Sequence, residues 1–161
     1  MTIEEYNQAV DLFSDNLFRF ILKNIQDEAA AEDIVQDAFE KLWIRLDEVD
    51  GSKARSYLFT TAYHTMIDQI RKMQRTTRLE KQHYSSLSHE EQYSDLKEVL
   101  THALKLLPDD QRSVLMLRDY EGYSYREIGD ITGLNESQVK VYIYRARTFL
   151  KNFITDPEKV I

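Results

Sequence analysis

The sequence predicts an all-α protein built as two small helical domains joined by a flexible linker. Three observations carry this. Apolar residues recur at helical spacing through most of the 161 residues. Four Gly and two Pro leave few breaks, so the helices should be long. One polar stretch, "LEKQHYSSLSHEEQ" at 79–92, lacks an apolar stripe. The expected organisation is a first domain at 1–78, a linker at 79–93 and a second domain at 94–161.

Taken in order, Ile3, Tyr6, Val10, Phe13, Leu17, Phe20 and Ile21 define the core face of a first helix. Ile34, Val35, Ala38, Phe39, Leu42, Trp43 and Leu46 define a second. "DGS" at 50–52 interrupts it. Phe59, Tyr63, Met66, Ile67 and Ile70 define a third, which runs into the basic "RKMQRTTR". Together these make one unit of three or four helices. A second unit should begin near Tyr93, with Leu96, Val99, Leu100, Ala103, Leu104 and Leu107. "LPDDQ" ends that helix and starts the next, with Val114, Leu115 and Leu117.

The C-terminal pattern is more specific. Ile128 and Ile131 line a short helix, and Gly133 in "TGL" is free to take a positive φ. Asn135 is a natural N-cap, and Gln138 completes a capping-box pattern. Val139, Ile143, Ala146 and Leu150 share one face of a longer helix. That is a helix-turn-helix. The other face presents Ser137, Val141, Tyr144 and Thr148, flanked by Lys140, Lys151 and Arg145. Side chains early in such a second helix enter the major groove, where Lys and Arg donate to guanine edges or phosphates. A helical hairpin with a solvated basic face is the plainer reading of the local pattern. The absence of acids after Glu136 in 136–152 weighs against it.

The net charge is −7, which argues against a general nucleic-acid coat. The charge is segregated, however. Residues 27–50 carry Asp27, Glu28, Glu32, Asp33, Asp37, Glu40, Asp47, Glu48 and Asp50 against Lys41 and Arg45. Residues 71–81 carry Arg71, Lys72, Arg75, Arg78 and Lys81 against Glu80. Asp33, Gln36, Asp37 and Glu40 share one helix face, suited either to solvent or to a basic partner helix. Tyr57, Phe59, Tyr63 and His64 alternate with Arg55, Arg71, Lys72 and Arg75, a mix that suits single-stranded nucleic acid. Phe59 and Tyr63 should be buried, Tyr57 and His64 partly exposed.

The chain has no cysteine, which excludes disulfides and thiolate metal sites. His64, His83, His89 and His102 lack metal-ligand spacing. There is no Gly-rich phosphate loop, nucleophile elbow or HExxH. No catalytic residue, cofactor or metal is expected. The apolar runs are shorter than a membrane span and the acidic start lacks a signal-peptide core, so a cytoplasmic protein without membrane insertion is expected.

Two signatures, "AEDIVQDAFEKLW" with "ARSYLF…IDQIRKMQR" and "LPDDQRSVLMLRDYEGYSYREIGDITGLNESQVKVYIYRAR", resemble those of the extracytoplasmic-function group of bacterial RNA polymerase sigma factors. The resemblance runs from about residue 8 to 153. It implies that the first domain, sigma region two, binds the clamp helices of the largest polymerase subunit through Asp33, Gln36, Asp37 and Glu40. It implies single-strand capture of the minus-ten element by the loop around Arg55 to Tyr57, then His64, Asp68, Arg71 and Lys72, with Arg75 beside them. The second domain, region four, would read the minus-thirty-five element as duplex. Arg118 would hold phosphate, and Ser137, Gln138, Lys140, Val141, Tyr144 and Arg145 would present the recognition helix. Region four would also dock on the flap of the second-largest subunit.

An anti-sigma factor is an expected partner, and the free chain an expected monomer. The linker could span roughly 50 Å at ~3.4 Å per residue, on the order of one and a half turns of duplex at ~34 Å each. The family often has Trp at Tyr57, Asn at His64 and Ser-Arg at Val141 and Tyr142. Its promoter sequence therefore does not transfer. The rival readings are a dimeric helix-turn-helix repressor on a palindromic site, and a pure protein-interaction module.

Overall fold

Capping chemistry sets where each helix starts. In the computed structural model, which describes residues 1–80 and 96–155, Thr2 Oγ1 accepts from Glu5 N while Glu5 Oε1 accepts from Thr2 N, opening α1 (Ile3–Ile25). Gln26 closes it in the left-handed region at φ 59°. Asp27 accepts from Ala30 N and starts α2 (Glu28–Ile44). A 3-10 turn at Gly51–Lys53 leads into α3 (Ala54–Glu80). The second half holds α4 (Leu96–Leu106), α5 (Asp109–Asp119), α6 (Tyr125–Thr132) and α7 (Glu136–Thr155). The expected all-α class with two helical units holds, and no strand occurs among the described residues. The linker expected at 79–93 lies outside the described residues, apart from 79 and 80, which continue α3. The expected start near Tyr93 lies outside them too.

Helices α1, α2 and α3 pack mutually around Leu17, Phe20, Ile21, Ile34, Leu42, Leu58, Phe59 and Met66, all essentially inaccessible. Each such side chain contributes ~1.5–3 kcal/mol by leaving water. In the second unit, α7 lies against α4, α5 and α6, over Val114, Leu115, Ile128, Val139, Ile143 and Ala146. Phe59 and Tyr63 are buried, Tyr57 is half-buried and His64 exposed, as the sequence implied. Three stripe residues correct that reading: Ile3, Trp43 and Leu96 are 59%, 49% and 60% exposed. Each sits at a helix end, where the neighbouring helices no longer cover it.

The helix-turn-helix forms as read. Gly133 takes φ 81° and closes α6. Asn135 Oδ1 accepts from Gln138 N at 2.8 Å, and Gln138 Oε1 accepts from Asn135 N at 3.0 Å. Gly129 is a further requirement that the pattern did not reveal. A Cβ there would sit 2.8 Å from the Leu134 carbonyl oxygen, so only glycine lets α6 approach the turn this closely. Asn135→Ala should lower stability by ~1 kcal/mol, read as an earlier urea midpoint with unchanged slope. No change in midpoint would mean the box is not formed in solution.

The two units also touch. α1 packs on α4 and α5, and α3 packs on α6. Their apolar interiors join into one continuous cluster.

Candidate polymerase and nucleic-acid interfaces

Helical spacing makes the α2 site a face. Asp33, Gln36 and Glu40 are exposed, and Asp37 is half-buried with its carboxylate 2.9 Å from Lys41 Nζ. One turn beyond Glu40, Trp43 and Ile44 are 49% and 73% exposed. The sequence reading put Trp43 in the core and passed over Ile44. Together they give the acidic face an apolar end, and protein interfaces combine such an apolar centre with a polar rim. The Trp43 ring leans edge-on to Tyr6 at 5.1 Å, which fixes its orientation.

Along α3, His64, Asp68, Arg71, Lys72 and Arg75 are all exposed. Their spacing places them on one continuous stripe, with three cations in its C-terminal half. Tyr57 stands two turns upstream on the same stripe. The resemblance suggested a loop at Arg55 to Tyr57. Instead, helix α3 already begins at Ala54, so these residues form its first turn. Arg55 is only partly open to solvent: its Nη2 donates to the Glu121 carbonyl oxygen at 2.6 Å, and its guanidinium lies 4.3 Å over the Tyr123 ring.

On α7, Ser137, Gln138, Lys140, Val141, Tyr144 and Arg145 are exposed, Tyr144 at 72%. Gln138 is also committed to the cap. Lys140 Nζ sits 3.7 Å from Glu136 Oε1, a solvent-exposed pair of little strength that phosphate can displace. Arg145 and Lys151 have no ion pair among the described residues. Arg147 is different. It bonds Asp119 through Nε at 3.3 Å and Nη2 at 2.5 Å, which raises its pKa and ties α7 to α5. The basic helix therefore spends one of its cations on folding. Arg118 donates from Nη1 to the Tyr123 carbonyl oxygen at 3.0 Å and covers the Tyr125 ring at 4.6 Å. One end of its guanidinium is structural.

Between the units runs a cleft of about 450 Å³, with Asp50, Lys53, Ser56 and Tyr57 on one side and Glu127 and Asp130 on the other. Glu127 is held below the usual carboxylate range by the Ser124 N–H and hydroxyl. Burial pushes the Tyr63 and Tyr123 hydroxyls up to about 12. Sequence reasoning missed the buried polar residues at this seam: Asn24, Arg112, Ser113 and Glu121. Ordinary patterning treats polar residues as surface, and nothing local marks these as exceptions. Among the described residues there is no acid or histidine cluster able to hold a metal, and no helix long and apolar enough to cross a membrane.

The fold thus joins a three-helix unit with an acidic-apolar helix face to a helix-turn-helix with an exposed basic helix. The profile of sigma-70 region 2 matches residues 9–76, and that of sigma-70 region 4 matches residues 97–150. The chain is 31% identical over 156 residues to the ECF RNA polymerase sigma factor SigM of Bacillus subtilis (strain 168), covering 94% of each. It is also 31% identical over 152 residues to the RNA polymerase sigma factor YlaC of the same organism, covering 89% of this chain and 88% of that protein. Among solved structures it resembles the sigma factor RpoE from Bartonella quintana, determined with the anti-sigma factor NepR. The TM-score is 0.78 at 28% identity, over 96% of this chain and 99% of that one. CnrH, determined with the cytosolic domain of CnrY, gives 0.68 at 27% identity over 93% and 87%. The chain belongs to the extracytoplasmic-function (ECF) sigma factors of RNA polymerase, DNA-binding regulators of transcription initiation.

Proposed function

We propose that this chain binds core RNA polymerase and directs initiation at promoters with two elements, reading the minus-ten element as single strand and the minus-thirty-five element as duplex. The observation that carries this reading is the separation of surfaces on different helices: an acidic face with an apolar end on α2, a stripe of cations on α3, and the open recognition face of α7.

Asp33, Gln36, Asp37 and Glu40 meet the clamp helices, with Trp43 and Ile44 supplying the apolar contact. Tyr57 and His64 offer rings to unstacked bases, and Arg71, Lys72 and Arg75 neutralise the strand's phosphates. Asp68 lies on the same exposed stripe. On the duplex, Lys140 and Arg145 donate to base edges or phosphates, Val141 and Tyr144 supply apolar contact, Ser137 a hydroxyl, and Arg118 its remaining N–H groups to phosphate. The second domain also docks on the flap of the second-largest subunit. With a net charge of −7, the isolated chain should hold DNA weakly, so polymerase contributes most of the affinity. An anti-sigma factor is a fitting inhibitor, because the relative RpoE was solved bound to one.

Run-off transcription tests this. Core polymerase from a related bacterium is supplied with a genomic template library, with and without the chain. Starts that appear only with the chain support the reading and map both elements. No core binding, with duplex binding kept by the C-terminal half, would replace it with a helix-turn-helix repressor.

A further inference from the structure

Lys23, near the end of α1, is half-buried, whereas every other lysine among the described residues is exposed. It lines a groove of about 300 Å³ between α1 and α4. Leu22 and the buried Leu104 supply the apolar part of that groove, and Gln26, Thr101 and Lys105 the polar part. The Lys23 ammonium sits 4.4 Å over the Tyr120 ring. None of these residues belongs to the polymerase and nucleic-acid surfaces described above.

The surroundings of Lys23 favour reaction at its nitrogen. Burial, together with the positive charges of Arg19 on α1 and Lys97 on α4, holds the amine below the usual lysine range, while the Glu121 carboxylate pulls the other way. The Tyr120 ring also favours the ammonium. A lysine desolvated beside other cations spends more time as the neutral amine, which is the nucleophile. The groove also selects the reagent. Lys97 and Lys105 are exposed and have no ion pair among the described residues, so both are free to meet a phosphate. Leu22 and Leu104 suit a short acyl chain.

We propose that Lys23 is an acylation site, which takes the acyl group of a small acyl phosphate held in the groove between α1 and α4. The amine nitrogen attacks the acyl carbonyl carbon. The C–N bond forms, the bond from that carbon to the phosphate oxygen breaks, and inorganic phosphate leaves with the electron pair. The surplus proton on nitrogen passes to the phosphate or to water. The product amide is uncharged, so it gives up both the contact on Tyr120 and the repulsion by Arg19 and Lys97.

The full chain is incubated with acetyl phosphate, and the rate at each lysine is read by peptide mass spectrometry. The exposed Lys41, Lys53, Lys72, Lys140 and Lys151 serve as internal references. In the folded chain Lys23 should acetylate ~fivefold or more faster than these, and in urea at their rate. A Lys23 rate no higher than the references in the folded chain would overturn the proposal. The uncharged N-hydroxysuccinimide ester of acetic acid separates the reactivity of the amine from capture of the phosphate. Lys105→Ala, an exposed change, should slow Lys23 acetylation by acetyl phosphate ~twofold or more and leave the rate with the ester unchanged. An unchanged rate with acetyl phosphate in that variant would show that the groove does not hold the reagent, and the proposal would fall on that count.

Discussion

Arg112→Ala should destabilise the protein by about 3–5 kcal/mol, the usual cost of breaking a buried charged network by removing one partner. Arg112 is 4% exposed. Its Nε donates to Asn24 Oδ1 at 3.1 Å, its Nη1 to the Leu107 carbonyl at 3.0 Å and its Nη2 to the Asn24 carbonyl at 3.3 Å. Nη2 also pairs with Asp109. The same Asn24 oxygen accepts from Ser113 Oγ at 3.1 Å, and Asn24 Nδ2 donates to the Phe20 carbonyl at 2.7 Å. Truncation removes a donor from the backbone carbonyls of Asn24, Leu104 and Leu107, while Asp109 keeps its bond from Gln74 Nε2.

Arg112→Lys keeps the charge but cannot reproduce the planar fork, so it should recover only part of the loss. Urea unfolding of wild type, Arg112→Ala, Asn24→Ala and the double variant forms a cycle. The expected coupling is ~0.5–3 kcal/mol, because the residues share a network. A loss below ~1 kcal/mol for Arg112→Ala would mean that the seam is hydrated or open in solution.

Lys140→Ala and Arg145→Ala should each weaken recognition of the upstream element by roughly 1–3 kcal/mol. Both sit in the first half of α7, exposed on either flank of the face that carries Val141 and Tyr144. Neither is held in a buried contact: the Lys140 pair with Glu136 is solvent-exposed, its ammonium meets the Tyr125 ring only at 5.6 Å, and Arg145 has no ion pair among the described residues. Thermal stability should therefore hold while holoenzyme occupancy falls at promoters that depend on the upstream element.

Arg147→Ala is the contrast. It removes the bond to Asp119 that ties α7 to α5, so its effect should appear in stability as well as in binding. Unchanged transcription in both Lys140→Ala and Arg145→Ala would move the duplex contact elsewhere.

Much of the fold was legible because it rests on local chemistry. The capping box at Asn135 and Gln138 and the turn at Gly133 are short-range devices, and the structure forms each where the sequence puts it. The α2 face was legible because its four polar residues recur at helical spacing. Helix ends were less so. Trp43 fits the apolar period of α2, yet only Tyr6 of α1 meets its ring and half of it stays exposed, and no sequence period encodes where a neighbour stops.

What the sequence alone determined is the set of helices, the division into two units, and the separation of acidic from basic faces. Each follows from spacing, caps and charge within one segment. What only the tertiary structure decided is which charged residues are free to act. Arg55, Arg112, Arg118, Arg147 and Glu121 carry no local sign of being engaged, but each meets a partner on another helix or turn, up to 102 positions away for Arg19 and Glu121. A cation's availability is set by what stands beside it in space. For Arg55, Arg112 and Glu121 that was fixed when the second domain settled against α1 and α3, and for Arg118 and Arg147 when α5, α6 and α7 packed together, events that no local pattern records.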